Sequence, residues 1–344
     1  MSDVEPTLAE SGIGQDFGAP EGVIDLRDGT APSGASEGRA PSGASEGRAP
    51  SGASEGRAPS GASEGTVLVD RLDRRRLFEL DFVDAPNLEP VLSSLLHRRL
   101  PADASRMDTV LTPNVDIMVH LKQPGAEQSV EWKMFQGSQY CLPDGQPIVL
   151  ASRLLGRPLG ARLTGSGLFA LLWPRLVSDR RSVFMVASSE LIVERLDREY
   201  GDLRSTVAPI FDVDDVETIE RLAEAVIASA GEQALEYVIL GIGNPKDARI
   251  AETVLRLWPD ALGRPPTILA LGGSASMYVG IIKRAPEWVQ RIGMEWFYRF
   301  LQEPRRLFHR YFVRDVAFVR LVWRQWWADR GAATTDLGES AANG

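Results

Sequence analysis

The chain has 344 residues, 44% apolar and 25% charged, the balance of a soluble globular protein with one large or two small domains. One cysteine, Cys141, excludes an internal disulfide and points to a reducing compartment. The net charge of −9 is uneven: residues 1–66 hold 11 acidic and 4 basic residues, whereas 283–330 hold 11 basic and 5 acidic ones. A near-neutral body therefore ends in a basic stretch suited to anionic lipid, a nucleoside diphosphate or nucleic acid. The acidic start lacks the basic and apolar regions of a signal peptide. The longest uncharged stretch, 265–282, is broken by Gly272, Gly273, Ser274, Ser276 and Gly280, so no transmembrane helix is expected.

Residues 31–65 repeat the unit APSGASEGR, and the last copy has Thr66 in place of the arginine. The unit has no large apolar residue, so it cannot bury enough surface to offset the entropy of ordering. Residues 1–66 are read as a disordered acidic tail, and the folded domain is expected to start at 67.

From there the elements alternate. Residues 77–83 (LFELDFV) read as a first strand, and 87–99 as a helix with Leu88, Val91, Leu92, Leu95 and Leu96 on one face. Residues 108–111 read as a strand ending in Thr-Pro-Asn, followed by helices over 116–122 and up to Gly137. A short strand at 139–142 leads to the turn Pro143-Asp144-Gly145, and 147–155 continues apolar. A loop at 162 opens a buried helix reaching 173. Residues 182–187 (SVFMVA) form a continuous apolar run of the parallel-strand type. Helix 189–200, strand 207–211, helix 214–230, strand 235–242, helix 248–258 and strand 267–271 complete the body.

This alternation predicts an α/β fold, a Rossmann-like, mostly parallel sheet flanked by helices, over 67–271. Residues 272–330 are expected to form a basic, aromatic-rich helical appendage, and 331–344 a disordered tail. Ligands of such sheets sit beyond the carboxyl ends of the strands. The loops 112–114, 143–145, 241–247 and 272–276 all fall at such ends.

Each candidate residue also has a plain structural reading. Asp144 in Pro-Asp-Gly is first of all a turn residue. Thr112 and Asn114 are good helix caps, and Arg162 could be half of a surface ion pair. The glycines of 241–243 alone could belong to any nucleotide fold. The histidines, His97, His120 and His309, are scattered, so no metal-ligand spacing appears. Cys141 reads as a packed strand residue. Residues 307–327 interleave aromatic residues with Arg310, Arg314, Arg320 and Arg324, which fits a core helix or one lying at a membrane interface. No nucleic-acid-binding module is recognisable.

The segment 272–311 carries more. It contains Arg284-Ala285-Pro286, Trp288, Gly293, Glu295-Trp296, Tyr298-Arg299, Pro304, Arg306 and Arg310-Tyr311. In that order these residues resemble the C-terminal signature of the WecG/TagA/CpsF family of bacterial glycosyltransferases (glycosyltransferase family 26). The resemblance covers about 68–325. It departs from the family at Asp247-Ala248, where the family has Gln-Glu, at Ala187-Ser188-Ser189, where Gly-Gly is usual, and at Met277, where an acidic residue is usual.

The resemblance implies an inverting, metal-independent transfer without a cofactor, from a UDP-sugar (a hexose or of N-acetylmannosamine type) to a polyprenyl-diphosphate-linked sugar in cell-surface polysaccharide assembly. It implies Asp144 as general base, followed by an apolar strand at 147–150, with Thr112, Asn114 and Arg162 lining the pocket and Asp247 at the nucleotide-sugar site. Arg284, Arg291, Arg299, Arg306 and Arg310 would meet the diphosphate. The implied location is cytoplasmic, at the inner face of the cell membrane, without nucleic acid and with homo-oligomerisation left open. Two other readings remain: a family member that binds a lipid-linked glycan without catalysis, and a Rossmann-like oxidoreductase. The latter lacks a G-x-G-x-x-G with an acidic residue about twenty positions on.

Overall fold

The computed structural model describes residues 72–98, 106–232, 234–282 and 315–342. Its centre is an eight-stranded sheet in the order β1-β2-β4-β3-β8-β7-β5-β6. The strands are β1 (Arg74–Leu77), β2 (Leu80–Val83), β3 (Met107–Leu111), β4 (Ser138–Cys141), β5 (Val183–Ala187), β6 (Arg204–Val207), β7 (Tyr237–Leu240) and β8 (Thr267–Ala270). Only the β1–β2 pair is antiparallel; the other pairs are parallel. The expected α/β class and mostly parallel sheet are observed.

The apolar runs explain the centre of the sheet. Strands β4, β5, β7 and β8 are buried at every position, as strands covered on both faces must be. Side chains alternate between faces. Tyr237 and Ile239 of β7 enter one core, with Leu168, Phe169, Leu172 and Trp173 of α5 (Gly165–Ser178) and Ile192 and Leu196 of α6 (Glu190–Tyr200). Val238 and Leu240 enter the other. There they meet Met118 of α2 (Val115–Leu121), Trp132 of α3 (Val130–Gly137), Leu222 and Val226 of α7 (Val216–Glu232), and Ile250 and Val254 of α8 (Lys246–Leu257). Each fully buried large side chain contributes about 1.5–3 kcal/mol of transfer free energy. The helix α1 (Glu89–Leu96) joins the α5–α6 layer through Val91 and Leu95.

Four expectations need correction. Residues 77–83 are not one strand but the turn and second arm of a hairpin. Phe78 and Glu79 turn the chain at φ 53° and 64°, the two positive values of the turn whose twist suits a hairpin. The strand expected at 207–211 lies earlier, at β6. Its sequence RSTV has no apolar run because β6 is the partly exposed sheet edge. The strand-like start of 147–150 is instead part of the helix α4 (Gln146–Leu154). Pro147 sits in its first turn, where no N–H is required, and Ile148 and Ala151 reach the core. The buried helix expected to end at 173 runs through Pro174 to Ser178.

At the C-terminus, the short helix α9 (Ser274–Tyr278) follows β8, and α10 (Asp315–Ala342) closes the described chain. Helix α10 continues past the expected boundary at 330 into an Ala-containing, proline-free stretch that can extend an existing helix. Phe318 anchors α10 in the core, its ring 5.8 Å from that of Phe78.

Candidate functional site

The sheet's topology chooses the place. The helices after β3, β4 and β7 (α2, α4 and α8) lie on one face, whereas the helix after β8, α9, lies on the other. Strand β8 sits between β3 and β7. The loops leaving its neighbours therefore diverge from its own loop, and the carboxyl end of β8 is a switch point of the kind at which such sheets bind their ligands.

On the β3 side, Leu142 N–H donates to Leu111 O at 2.8 Å, and Asp144 N–H donates to Pro113 O at 3.1 Å. These bonds zip the loops after β3 and β4 together and place Thr112 and Asp144 at one edge. The segment entering α5 returns to the same edge, with Leu163 N–H donating to Pro143 O at 3.1 Å. Thr164 caps α5 by accepting Gly167 N–H at 3.0 Å. Gly165, the first helical residue, donates its N–H to Asp144 Oδ2 at 3.2 Å. The carboxylate thus sits at the positive end of a fourteen-residue helix. Gly165 is closely packed: a Cβ there would lie 3.2 Å from both Thr112 Oγ1 and Ser274 Oγ, tight enough that these side chains would have to give way.

The structure thus brings Thr112, Asp144, Gly165 and Ser274 together from four different elements. Asp144 is partly exposed, so its carboxylate can meet a substrate, whereas Thr112 is 7% exposed. Arg162 is partly buried beside Leu163 in the segment that closes on the Asp144 turn. Asn114 performs the helix-capping role: its Oδ1 accepts Ile117 N–H at 3.1 Å at the start of α2. Ser274 was not among the expected site residues. Its only sequence signal is that it follows Gly272-Gly273 after an apolar strand.

On the β7 side the expectation for Asp247 is corrected. The side chain has no exposed surface and so cannot touch a donor. Its Oδ1 accepts the N–H groups of Ile242 (3.2 Å) and Gly243 (3.0 Å), and its Oδ2 that of Gly272 (3.0 Å). Burial pushes the carboxyl up to about 6, although the three amides pull the other way. Lys246 donates to Phe211 O and lies 4.3 Å over the Phe211 ring, which engages it with the loop after β6.

Cys141 is fully buried in β4 and burial raises its thiol, as expected of a packed residue. Arg284, Arg291, Arg299, Arg306 and Arg310 lie outside the described residues. Among the described residues no group of three His, Cys, Asp or Glu side chains could hold a metal ion, and no helix is long and apolar enough to cross a membrane. Helix α10 exposes a stripe of Val316, Val319, Trp323 and Trp327, spaced to share one face. Arg330 lies 3.6 Å over the Trp326 ring beside it. A separate cleft of about 580 Å³ lies between α10, the end of α2 and the β1–β2 turn, lined by Phe78, Lys122, Trp132, Leu321 and Arg324. It is at the amino ends of the strands, away from Asp144.

The chain is 28% identical over 229 residues, 66% of its length, to an N-acetylglucosaminyldiphosphoundecaprenol N-acetyl-beta-D-mannosaminyltransferase of Bacillus spizizenii, covering 83% of that protein. It is 27% identical over 177 residues, 50% of its length, to the protein of the same name in Bacillus subtilis, covering 64% of it. The family pattern described as "Glycosyl transferase WecG/TagA/CpsF family" matches residues 76–332, so the protein is a glycosyltransferase and belongs to that family.

Proposed function

We propose that the protein transfers a sugar, of hexose or N-acetylmannosamine type, from a UDP-sugar to a polyprenyl-diphosphate-linked sugar in cell-surface polysaccharide assembly. The observation carrying this reading is Asp144: a partly exposed carboxylate at the carboxyl end of β4, oriented by Gly165 N–H beside Thr112 and Ser274. The similarity to two enzymes whose names specify an N-acetylglucosaminyl-diphosphoundecaprenol acceptor supports the choice of acceptor.

Asp144 acts as general base. The acceptor hydroxyl oxygen attacks the anomeric carbon from the side opposite the UDP. The bond from that carbon to the phosphate oxygen breaks, and UDP leaves with the electron pair. The hydroxyl proton passes to Asp144, and the sugar inverts. Thr112 and Arg162 line the acceptor edge. Asn114 holds the start of α2 in place. The arginines at 284, 291, 299, 306 and 310 neutralise the departing diphosphate without a metal or cofactor. The aromatic stripe of α10, with Arg320, Arg324 and Arg330 on the same helix, lies against the inner face of the cell membrane. The protein works from the cytoplasmic side, where both substrates meet.

The test is UDP release from a panel of UDP-sugars, with a synthetic lipid-diphosphate-sugar acceptor in detergent. Acceptor-dependent release that collapses in Asp144→Ala is the expected result. Release unchanged by the substitution would remove Asp144 from the mechanism. No release from any donor would favour a non-catalytic member of the family.

A further inference from the structure

We propose that Asp247 is a positioning residue that locks the loops after β7 and β8 together and so shapes the donor half of the cleft. The donor falls on that side because the function proposed above puts the acceptor edge at Thr112 and Arg162, across β8; the lock itself rests on hydrogen bonds alone.

The parallel ladder between β7 and β8 ends at Leu240 and Ala270. One further bond continues it, Leu271 N–H to Leu240 O at 3.1 Å, while Gly241 N–H donates to Val186 O of β5 at 2.9 Å. Beyond these the chains diverge into α8 and α9, and the amides of Ile242, Gly243 and Gly272 have left the strand ladder. Their residues are only partly buried, but an amide turned inward still needs an acceptor. The two oxygens of one carboxylate accept all three, and charge strengthens each bond. The lock is reciprocal, since Asp247 N–H donates to Gly243 O at 3.2 Å. It also brings the two loops to adjacent positions: a Cβ at Gly272 would be in ordinary van der Waals contact, 3.5 Å, with Gly243 Cα. Gly243 adopts φ +116°, a conformation held by its bonds to Asp247 on both sides.

The chemistry of the carboxylate makes the claim sharp. A carboxamide has one acceptor oxygen and one donor nitrogen. In Asp247→Asn the oxygen can stay with the Ile242 and Gly243 pair, where it accepts two bonds. The nitrogen then faces Gly272 N–H, donor against donor. The isosteric variant should therefore open one loop and spare the other, whereas Asp247→Ala should open both.

The experiment follows amide hydrogen exchange, resolved to single residues in the full-length chain, beside steady-state kinetics. For Asp247→Asn the expected result is at least tenfold faster exchange at Gly272, with Ile242, Gly243 and the strands β3 and β5 unchanged. Donor KM should rise about tenfold while acceptor KM holds. Asp247→Ala should accelerate all three loop amides; if it fails to fold, Asp247→Asn carries the test alone. Unchanged exchange at Gly272 in Asp247→Asn would overturn the lock, as would acceleration spread evenly over β3 and β5. A loosened Gly272 with unchanged donor KM would overturn its link to the donor. If the wild type released UDP from no donor, the proposed reaction would fall, while selective opening at Gly272 would still uphold the lock.

Discussion

Two aspartates at the carboxyl end of the same sheet have opposite assignments. Asp144 follows β4, keeps exposed surface and accepts the N–H of Gly165. Asp247 opens α8, has no exposed surface and accepts three backbone amides from two loops. Both carboxylates accept N–H groups from glycines, but only the first keeps exposed surface. On the function proposed above, burial rather than residue type separates the aspartate assigned to proton transfer from the one assigned to holding the loops.

The largest expected effect attacks the exposed member of the pair. Asp144→Asn should lower kcat about 10²–10⁴-fold, the span attributed to a positioned general base, and leave the melting temperature nearly unchanged. Equal losses of kcat and fold stability would make Asp144 a structural residue like Asp247.

The next effect concerns the buried member. Its folded pKa, about 6, lies above the ordinary 3.8, so the folded state binds the proton more tightly than the unfolded chain. That contribution is fully present below about pH 4 and is lost as pH rises through about 6, a change of about 3 kcal/mol. Denaturant unfolding of wild type relative to Asp247→Asn, followed from pH 4 to 6.5, should show this relative loss. A flat difference would mean that the three amides balance the cost of burial.

A smaller effect tests the crossing point between the two halves. Gly165→Ala puts a methyl group against Thr112 and Ser274, and overpacking of this kind costs about 1–3 kcal/mol. Chemical denaturation should show the loss, and kcat should fall with it because the N–H that orients Asp144 moves. The smallest is Asn114→Ala, which removes the cap of α2 and should cost about 1 kcal/mol. Donor KM should not change, whereas a rise would place Asn114 in contact with the donor.

Much of this was legible in the residues. The continuous apolar runs at β5, β7 and β8 read as strands covered on both faces, and the 3.6-residue periodicity of α7 and α8 supplied the covering layer. The ordered Arg, Trp, Gly and Tyr positions of 284–311 carried the family. The turn at Asp144 was visible as Pro-Asp-Gly. The edge strand β6 and the hairpin at Phe78-Glu79 were not, because an edge strand needs no apolar run and a short apolar stretch hides a turn within it.

What the sequence determined by itself is therefore local: which segments are apolar on one face or both, where the chain turns, and which family it belongs to. Only the tertiary structure decided that β8 lies between β3 and β7, and with it the meeting of Thr112, Gly165 and Ser274. It alone sealed Asp247 beneath two loops. Periodicity reports how each segment meets its immediate surroundings. Strand order and burial arise from pairings between distant parts of the chain, and no local window contains them.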